Sequence, residues 1–178
     1  NACLTPDGEY LWFMSNNPPA GGRHIAVVGL NPEQPSIKVF ANAPGEGALT
    51  RDGHACWACV GNEIWLFPIV GEPSKVAELD PTWVNRRAFS GLLGISVSCD
   101  YQKLLVSGKI GTHYFLAIGD PATGKVEILH EHPCHHNHTQ FSPNDPNLFM
   151  MAQDWFCDPV SGQHMDFDHR TWLMTVDQ

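Results

Sequence analysis

The sequence is poor in charge, and above all in basic residues. Only 16% of its 178 residues are charged, and its 10 Lys and Arg residues face 19 Asp and Glu residues, which gives a net charge of −9. Nucleic acid binding requires a basic face, so this balance argues against a nucleic acid partner. An anionic ligand would need a local Arg cluster or a metal ion. With 43% hydrophobic residues the chain can still form a core, and its length indicates one domain.

Long apolar runs are absent as well. No uninterrupted apolar stretch approaches the roughly 18 residues of a membrane span, so no membrane partner is expected. The chain opens on "NACLTPDG", without the basic start or apolar segment of a signal peptide, and without Met. We therefore expect it to be part of a longer protein. Its expected location is cytoplasmic, with a periplasmic or secreted location left open.

Cysteine is too scarce for a fold built on disulfides, with six residues in the chain. The "CWAC" at 56–59 has the spelling of a redox or zinc motif, but it lies in a segment that reads as a strand. Positions three apart in a strand point to opposite faces, so these two thiols cannot readily share a metal ion or close a bridge. Cys56 and Cys59 are expected to be buried structural residues.

Glycine and proline are plentiful, with 16 and 14 residues, which favours many short strands. Four segments repeat one order, in which a turn that contains an Asp precedes an alternating apolar strand. They begin near residues 4, 49, 97 and 141. Their turn aspartates are spaced 45, 48 and 45 residues apart, at Asp7, Asp52, Asp100 and Asp145.

A second strand follows in each unit, at 24–30, 63–70, 113–120 and 171–177. Three or four antiparallel strands in roughly 45 residues are typical of a β-propeller blade. A β-sandwich with regular turns is the alternative, but a sandwich has no reason to repeat one turn before one strand four times. The prediction is an all-β fold over residues 1–178, with about four blades of a larger propeller. A closed four-bladed ring is the less favoured alternative.

The fourth unit contains an insertion at 152–170, "AQDWFCDPVSGQHMDFDHR", which lengthens the path from the turn to the second strand. Ligand sites of propellers are built from loops and strand ends, so this segment is either a functional element or a decorated surface loop. Arg170 is its most informative residue, because it directly precedes an apolar strand and offers a planar fork for carboxylates.

Just upstream, "HEHPCHHNHTQFSP" at 130–143 holds five histidines: His130, His132, His135, His136 and His138. In an extended strand His136 and His138 share one face and could chelate a transition metal ion. Alternatively, neutral histidines and Asn137 bind backbone carbonyls at the ends of the strand.

The segments "NHTQFSPNDPNLFMM" and "DHRTWLMTVD" resemble the middle of the oligogalacturonate lyases, the pectate lyase family 22 propellers. The upstream units fit the first blades of that family in order and spacing. His138 before "FSP", combined with the Arg-x-Trp strand at 170–172, is the most specific part. The resemblance implies a seven-bladed propeller that cleaves short oligogalacturonates by β-elimination, with Mn²⁺ held by three His and one Gln.

The resemblance also implies roles for particular residues. Arg170 falls at the position of the active-site arginine, which would bind a carboxylate and neutralise charge in the transition state. His138 matches a histidine near the substrate pocket and is expected to bind substrate. The metal ligands and the base histidine of the family lie beyond Gln178. No metal ligand is therefore expected in this chain, and the chain alone is expected to be inactive.

One departure from the family lies inside the overlap. Where family members commonly read His-Glu-Gly, this chain reads Gln153, Asp154 and Trp155, which we also assign to substrate binding. Two alternatives to an oligogalacturonate lyase stay open for that reason. One is a lyase for another uronate, and the other is a non-catalytic propeller whose insertion binds a partner protein.

Overall fold

In the part of the chain that the structure describes, the strands form four antiparallel sheets of four strands each, of which the second and third are joined into one sheet of eight strands. The computed structural model describes residues 2–16, 22–43, 45–85, 88–158 and 160–177, without the side chains of residues 89, 90, 155–157 and 166. Consecutive strands pair in the first three sheets, as expected for strands joined by short turns. The strands of the first two sheets are β1 Ala2–Leu4, β2 Tyr10–Ser15, β3 His24–Gly29, β4 Ser36–Phe40, β5 Gly47–Leu49, β6 Ala55–Val60, β7 Glu63–Pro68 and β8 Ser74–Leu79.

The third sheet is joined to the second. Strands β8 and β12 pair in parallel through only two residue pairs, Lys125 with Glu78 and Val126 with Leu79. A single helical turn, α1 (Pro81–Val84), lies between the two sheets in the chain. The strands of the last two sheets are β9 Phe89–Val97, β10 Leu104–Ile110, β11 His113–Asp120, β12 Lys125–His132, β13 His135–Phe141, β14 Leu148–Cys157, β15 His164–Asp166 and β16 Thr171–Thr175.

The fourth sheet departs from the simple order. Strand β14 runs for ten residues, and its second half pairs with β15 while its first half pairs with β16. The insertion predicted at 152–170 is therefore only partly a loop, because it extends β14 and adds β15. This places Arg170 between the two strands that share the same edge of β14.

The described side chains form three cores, each between the faces of two successive sheets. Trp12 and Phe40 of the first sheet pack with Phe67 of the second, whereas Leu116 of the third packs with Phe149 of the fourth. The cluster between the second and third sheets is the largest. Each fully buried Leu or Phe contributes about 1.5–3 kcal/mol, so face-to-face stacking of the sheets supplies most of the stability.

The turn that opens each unit is built from a hydroxyl and a carboxylate. In the first three units a Thr or Ser hydroxyl donates to an Asp carboxylate two residues later, and that carboxylate accepts the backbone N–H two residues further on. These hydrogen bonds lower the pKa of each Asp, that of Asp7 to about 2. The donor pairs are Thr5–Asp7 (2.5 Å), Thr50–Asp52 (2.6 Å) and Ser98–Asp100 (2.5 Å).

The fourth turn uses a longer spacing. Ser142 accepts the backbone N–H groups of Asn144 and Asp145, and the Asp145 carboxylate accepts that of Asn147 at 2.9 Å. The third turn has its own exception, because Tyr101 adopts a left-handed φ of 65° where the first two turns have glycine. The predicted turns are thus present, with local variations in side-chain chemistry.

The two cysteines of "CWAC" are both buried and free. Cys56 belongs to the core between the first and second sheets, and Cys59 to the core between the second and third. Burial raises the pKa of both thiols to about 12. The prediction that they point to opposite faces as inert core residues is confirmed. Among the described residues, no helix has the length and apolar character needed to cross a membrane.

Candidate functional site

Arg170 directly precedes β16 and lies beside Gln153 in the middle of β14. Its Nε donates to the carbonyl of Gln153 at 3.2 Å, and the backbone N–H of Gln153 donates to the carbonyl of Arg170 at 2.7 Å. Its Nη2 donates to the carboxylate of Asp154. The side chain is nevertheless 54% exposed, so the guanidinium is fixed on one edge and open to solvent elsewhere.

Asp154 is the centre of this group of residues, because its carboxylate contacts three side chains, two of them from β13 and the third that of Arg170. One oxygen accepts from Arg170, and the other accepts from the amide of Asn137 and lies 3.3 Å from Nδ1 of His135. Its side chain is only 17% exposed. A mostly buried carboxylate that accepts hydrogen bonds from charged and neutral donors holds those donors more firmly than an exposed carboxylate does. Asp154 therefore connects the histidine-rich strand β13 to Arg170.

Gln153 has both ends of its side-chain amide engaged. Its Oε1 accepts from the indole of Trp172 at 3.0 Å, and its Nε2 lies 3.4 Å from Sγ of Cys134. The structure thus brings together three of the predicted site residues: Gln153, Asp154 and Arg170. The side chain of Trp155 lies outside the described residues. Asn137, His135 and Trp172 were missed as members of this group, and the Arg-x-Trp pattern was the one available signal for Trp172.

His138 lies apart from this group. A register shift between Asn137 and Gln140 interrupts the pairing of β13, and His138 adopts a left-handed φ of 49° there. Its exposed side chain borders a cavity of about 910 Å³ in front of β5, β9 and β13, together with Ser96 and Tyr101. Strained backbone at a cavity wall is typical of functional positions. Arg170 is not among the described residues that line this cavity.

The same bulge separates the two histidines that the sequence suggested as a chelating pair. His136 is buried, at 3% exposure, whereas His138 is exposed on the other side of the bulge. The shared face requires regular alternation, which the extra residues of the bulge interrupt. The idea of a metal site at His136 and His138 is therefore wrong. His130, His132 and His135 were expected at strand ends and in loops; His132 ends β12, His135 begins β13, and His130 lies within β12 two residues before its end.

The manganese ion implied by the resemblance does not fit the residues at hand. Among the described residues no group of three His, Cys, Asp or Glu side chains is arranged to hold a metal ion. Asp154, the acidic residue nearest to Arg170, already binds three protein partners. No step of the proposed reaction is therefore assigned to a metal ion.

Comparison with known proteins bears on the fold. No protein-family model matches the chain, and no curated protein matches it. Solved structures do. An oligogalacturonate lyase in complex with manganese superposes with a TM-score of 0.69 at 19% identity, over 98% of this chain and 49% of the other. TolB from Acinetobacter baumannii superposes with a TM-score of 0.63 at 21% identity, over 98% of this chain and 42% of the other.

An oligogalacturonate lyase from Vibrio parahaemolyticus gives a TM-score of 0.68 at 17% identity, over 97% of this chain and 48% of the other. The fold is a β-propeller. The prediction of an all-β propeller is thereby confirmed, and the chain spans about half the length of these structures. Identities this low show the fold alone. The unit boundaries, the seven-bladed ring and the site residues stay predictions.

Proposed function

We propose that this chain is part of a propeller lyase that cleaves short oligogalacturonates by β-elimination. The observation that carries the proposal is the Arg170 guanidinium, fixed by Asp154 and by the Gln153 carbonyl yet half open to solvent. An arginine held in this way presents a planar donor edge to an incoming carboxylate without having to be ordered first. The likeness in fold to two oligogalacturonate lyases supports the proposal.

The proposed reaction places a clear demand on such an arginine. A base removes the proton at C5 of a uronate, and the electron pair left behind is delocalised into the adjacent carboxylate. The bond from C4 to the glycosidic oxygen then breaks, a double bond forms between C4 and C5, and the departing oxygen takes up a proton. Arg170 would stabilise the carboxylate as its negative charge grows, which lowers the barrier to proton removal.

The other predicted site residues take different parts in this proposal. His138 borders the cavity in front of β13 and is proposed to bind the remainder of the sugar chain. Asp154 and Gln153 were expected to bind substrate directly. Because their polar atoms are occupied by protein partners, we now propose that they position Arg170. Trp155 keeps its proposed role in substrate binding.

The test is a lyase assay on the intact protein, with digalacturonate as substrate and Mn²⁺ present, followed by the ultraviolet absorbance of the unsaturated product. We expect a steady rise with the natural chain and a loss of about 10²–10³ in kcat/KM for Arg170→Gln. Asp168→Asn is the matched control, since it changes an exposed polar residue two positions away and is expected to retain activity. No rise with correctly folded protein contradicts the proposal.

A second candidate, a non-catalytic propeller that binds a partner protein, is favoured by one observation. The Asp154 carboxylate already neutralises the charge of Arg170, so this group of residues needs no anionic substrate to balance its charge. In that case Arg170→Gln weakens a protein contact and leaves no lyase activity to lose. The third alternative, a lyase for another uronate, rests on the Gln153, Asp154 and Trp155 sequence, and a panel of uronate oligosaccharides separates it from the first. The cytoplasmic location stays a prediction.

A further inference from the structure

Three imidazoles gather where the third sheet meets the fourth, and we call His130, His132 and His136 the histidine cluster. His130 and His132 lie two residues apart on β12, and His136 lies on β13. The ring centroids of His130 and His132 are 6.1 Å apart, and those of His132 and His136 are 5.5 Å apart. Alternate residues of a strand share a face, so β12 presents two rings to the one ring of β13.

The histidine cluster has buried nitrogen atoms that are not hydrogen-bonded. Both ring nitrogens of His136, together with Nε2 of His130 and of His132, are inaccessible to solvent and have no hydrogen-bond partner among the described residues. His136 is 97% buried, since only 3% of it is exposed. Burying a polar atom without a partner costs about 1–3 kcal/mol, and a single occupant that binds one nitrogen of each ring would satisfy three of these four atoms.

We propose that the histidine cluster binds a first-row divalent transition metal ion such as Zn²⁺, with His132 and His136 as the first two ligands and His130 as the third. Imidazole is a preferred ligand of zinc, copper and nickel, whereas manganese favours oxygen ligands. This ion would therefore differ from the manganese that the resemblance implies. The proposal does not depend on the proposed lyase function.

The spacing of the rings supports this assignment. With nitrogen ligands about 2.0–2.1 Å from zinc, the centres of two imidazoles at a tetrahedral angle lie about 5 Å apart. The 5.5 Å between His132 and His136 is close to that value, and the 6.1 Å to His130 requires a modest further approach. The nitrogens do not yet converge as a three-ligand group, so binding requires the rings to turn about their side-chain torsions. A bound ion would then connect β12 to β13 across the short link between the two sheets.

The experiment titrates the intact, chelator-treated protein with Co²⁺, whose tetrahedral complexes absorb visible light, and then with Zn²⁺ by calorimetry. The double variant His132→Gln/His136→Gln is expected to bind one equivalent fewer than the natural protein, whatever other metal sites the protein has. His130→Gln is expected to weaken binding by about tenfold or more. His113→Gln, which changes an exposed histidine on β11, is the matched control and is expected to bind like the natural protein.

A thermal measurement keeps the test decisive if the double variant folds poorly. Zn²⁺ is expected to raise the Tm of the natural protein and of His113→Gln, because an ion that binds only the folded state stabilises it. The single variant His132→Gln, at a half-buried position, is expected to show a smaller rise or none. Equal stoichiometry in the natural protein and the double variant, or an equal Zn²⁺-induced rise in Tm in all variants, would overturn the proposal.

Discussion

The ion pair between Asp154 and Arg170 can be measured by a double-mutant cycle. Asp154→Ala removes the acceptor of two hydrogen bonds and the contact with His135, at a site where the carboxylate is 17% exposed, so we expect a loss of about 2 kcal/mol in the free energy of unfolding. Arg170→Ala removes a side chain that is 54% exposed, and we expect a loss of about 1 kcal/mol. If the pair exists in solution, the double variant loses less than the sum.

The expected coupling energy is about 0.5–1 kcal/mol, above the value for a fully exposed pair because Asp154 is mostly shielded from solvent. The assay is equilibrium unfolding in urea at neutral pH, with circular dichroism as the readout. Asp168→Ala combined with Arg170→Ala serves as the control cycle and is expected to be additive. A coupling of zero between Asp154 and Arg170, with unchanged m-values, would refute the claim that Asp154 fixes the guanidinium.

Three other predictions concern the scaffold. Gly108→Ala should destabilise the fold by about 1–3 kcal/mol, because the new methyl would lie 2.2 Å from a ring carbon of Phe115. Adding Phe115→Leu should recover part of that stability, and thermal unfolding measures both effects. Trp12→Phe should lower the free energy of unfolding, measured in urea, by about 1–2 kcal/mol, because the indole of Trp12 donates to a backbone carbonyl of the next turn at 2.8 Å. The hydrogen bond of His54 to Asp7 raises the pKa of that histidine, so Asp7→Asn should lower it in an NMR titration.

The His54 and Asp7 pair also predicts a pH window. Its contribution to stability is complete only between pH 3.8 and 6.5, the usual pKa values of the two groups. As the pH rises through the raised pKa of His54, the contribution is lost, because the unfolded and folded states then both carry neutral histidine. As the pH falls from 3.8 toward about 2, it is lost because Asp7 becomes protonated. The difference in stability between the natural protein and His54→Gln should follow this window; a difference that is flat with pH would contradict it.

Local patterns made much of the fold predictable. Alternation of apolar residues located β3, β7, β11 and β16, and period-two geometry placed Cys56 and Cys59 on opposite faces. The bulge at His138 was not predictable, since it depends on how β13 pairs with β14 rather than on the local sequence. The contacts of Asp154 were missed for the same reason, because Asn137 and Arg170 lie 17 and 16 residues away in the chain.

Arg170 is proposed to bind a uronate carboxylate, and calorimetric titration of the intact protein with digalacturonate tests this role most directly. Binding can be measured whether or not the assay conditions support turnover. Because a charged hydrogen bond contributes about 1.5–3 kcal/mol, we expect Arg170→Gln to raise the Kd by about tenfold or more. We also expect the carboxyl-reduced disaccharide to bind the natural protein and the variant equally weakly. Equal affinity of the natural protein and Arg170→Gln for digalacturonate would contradict the account.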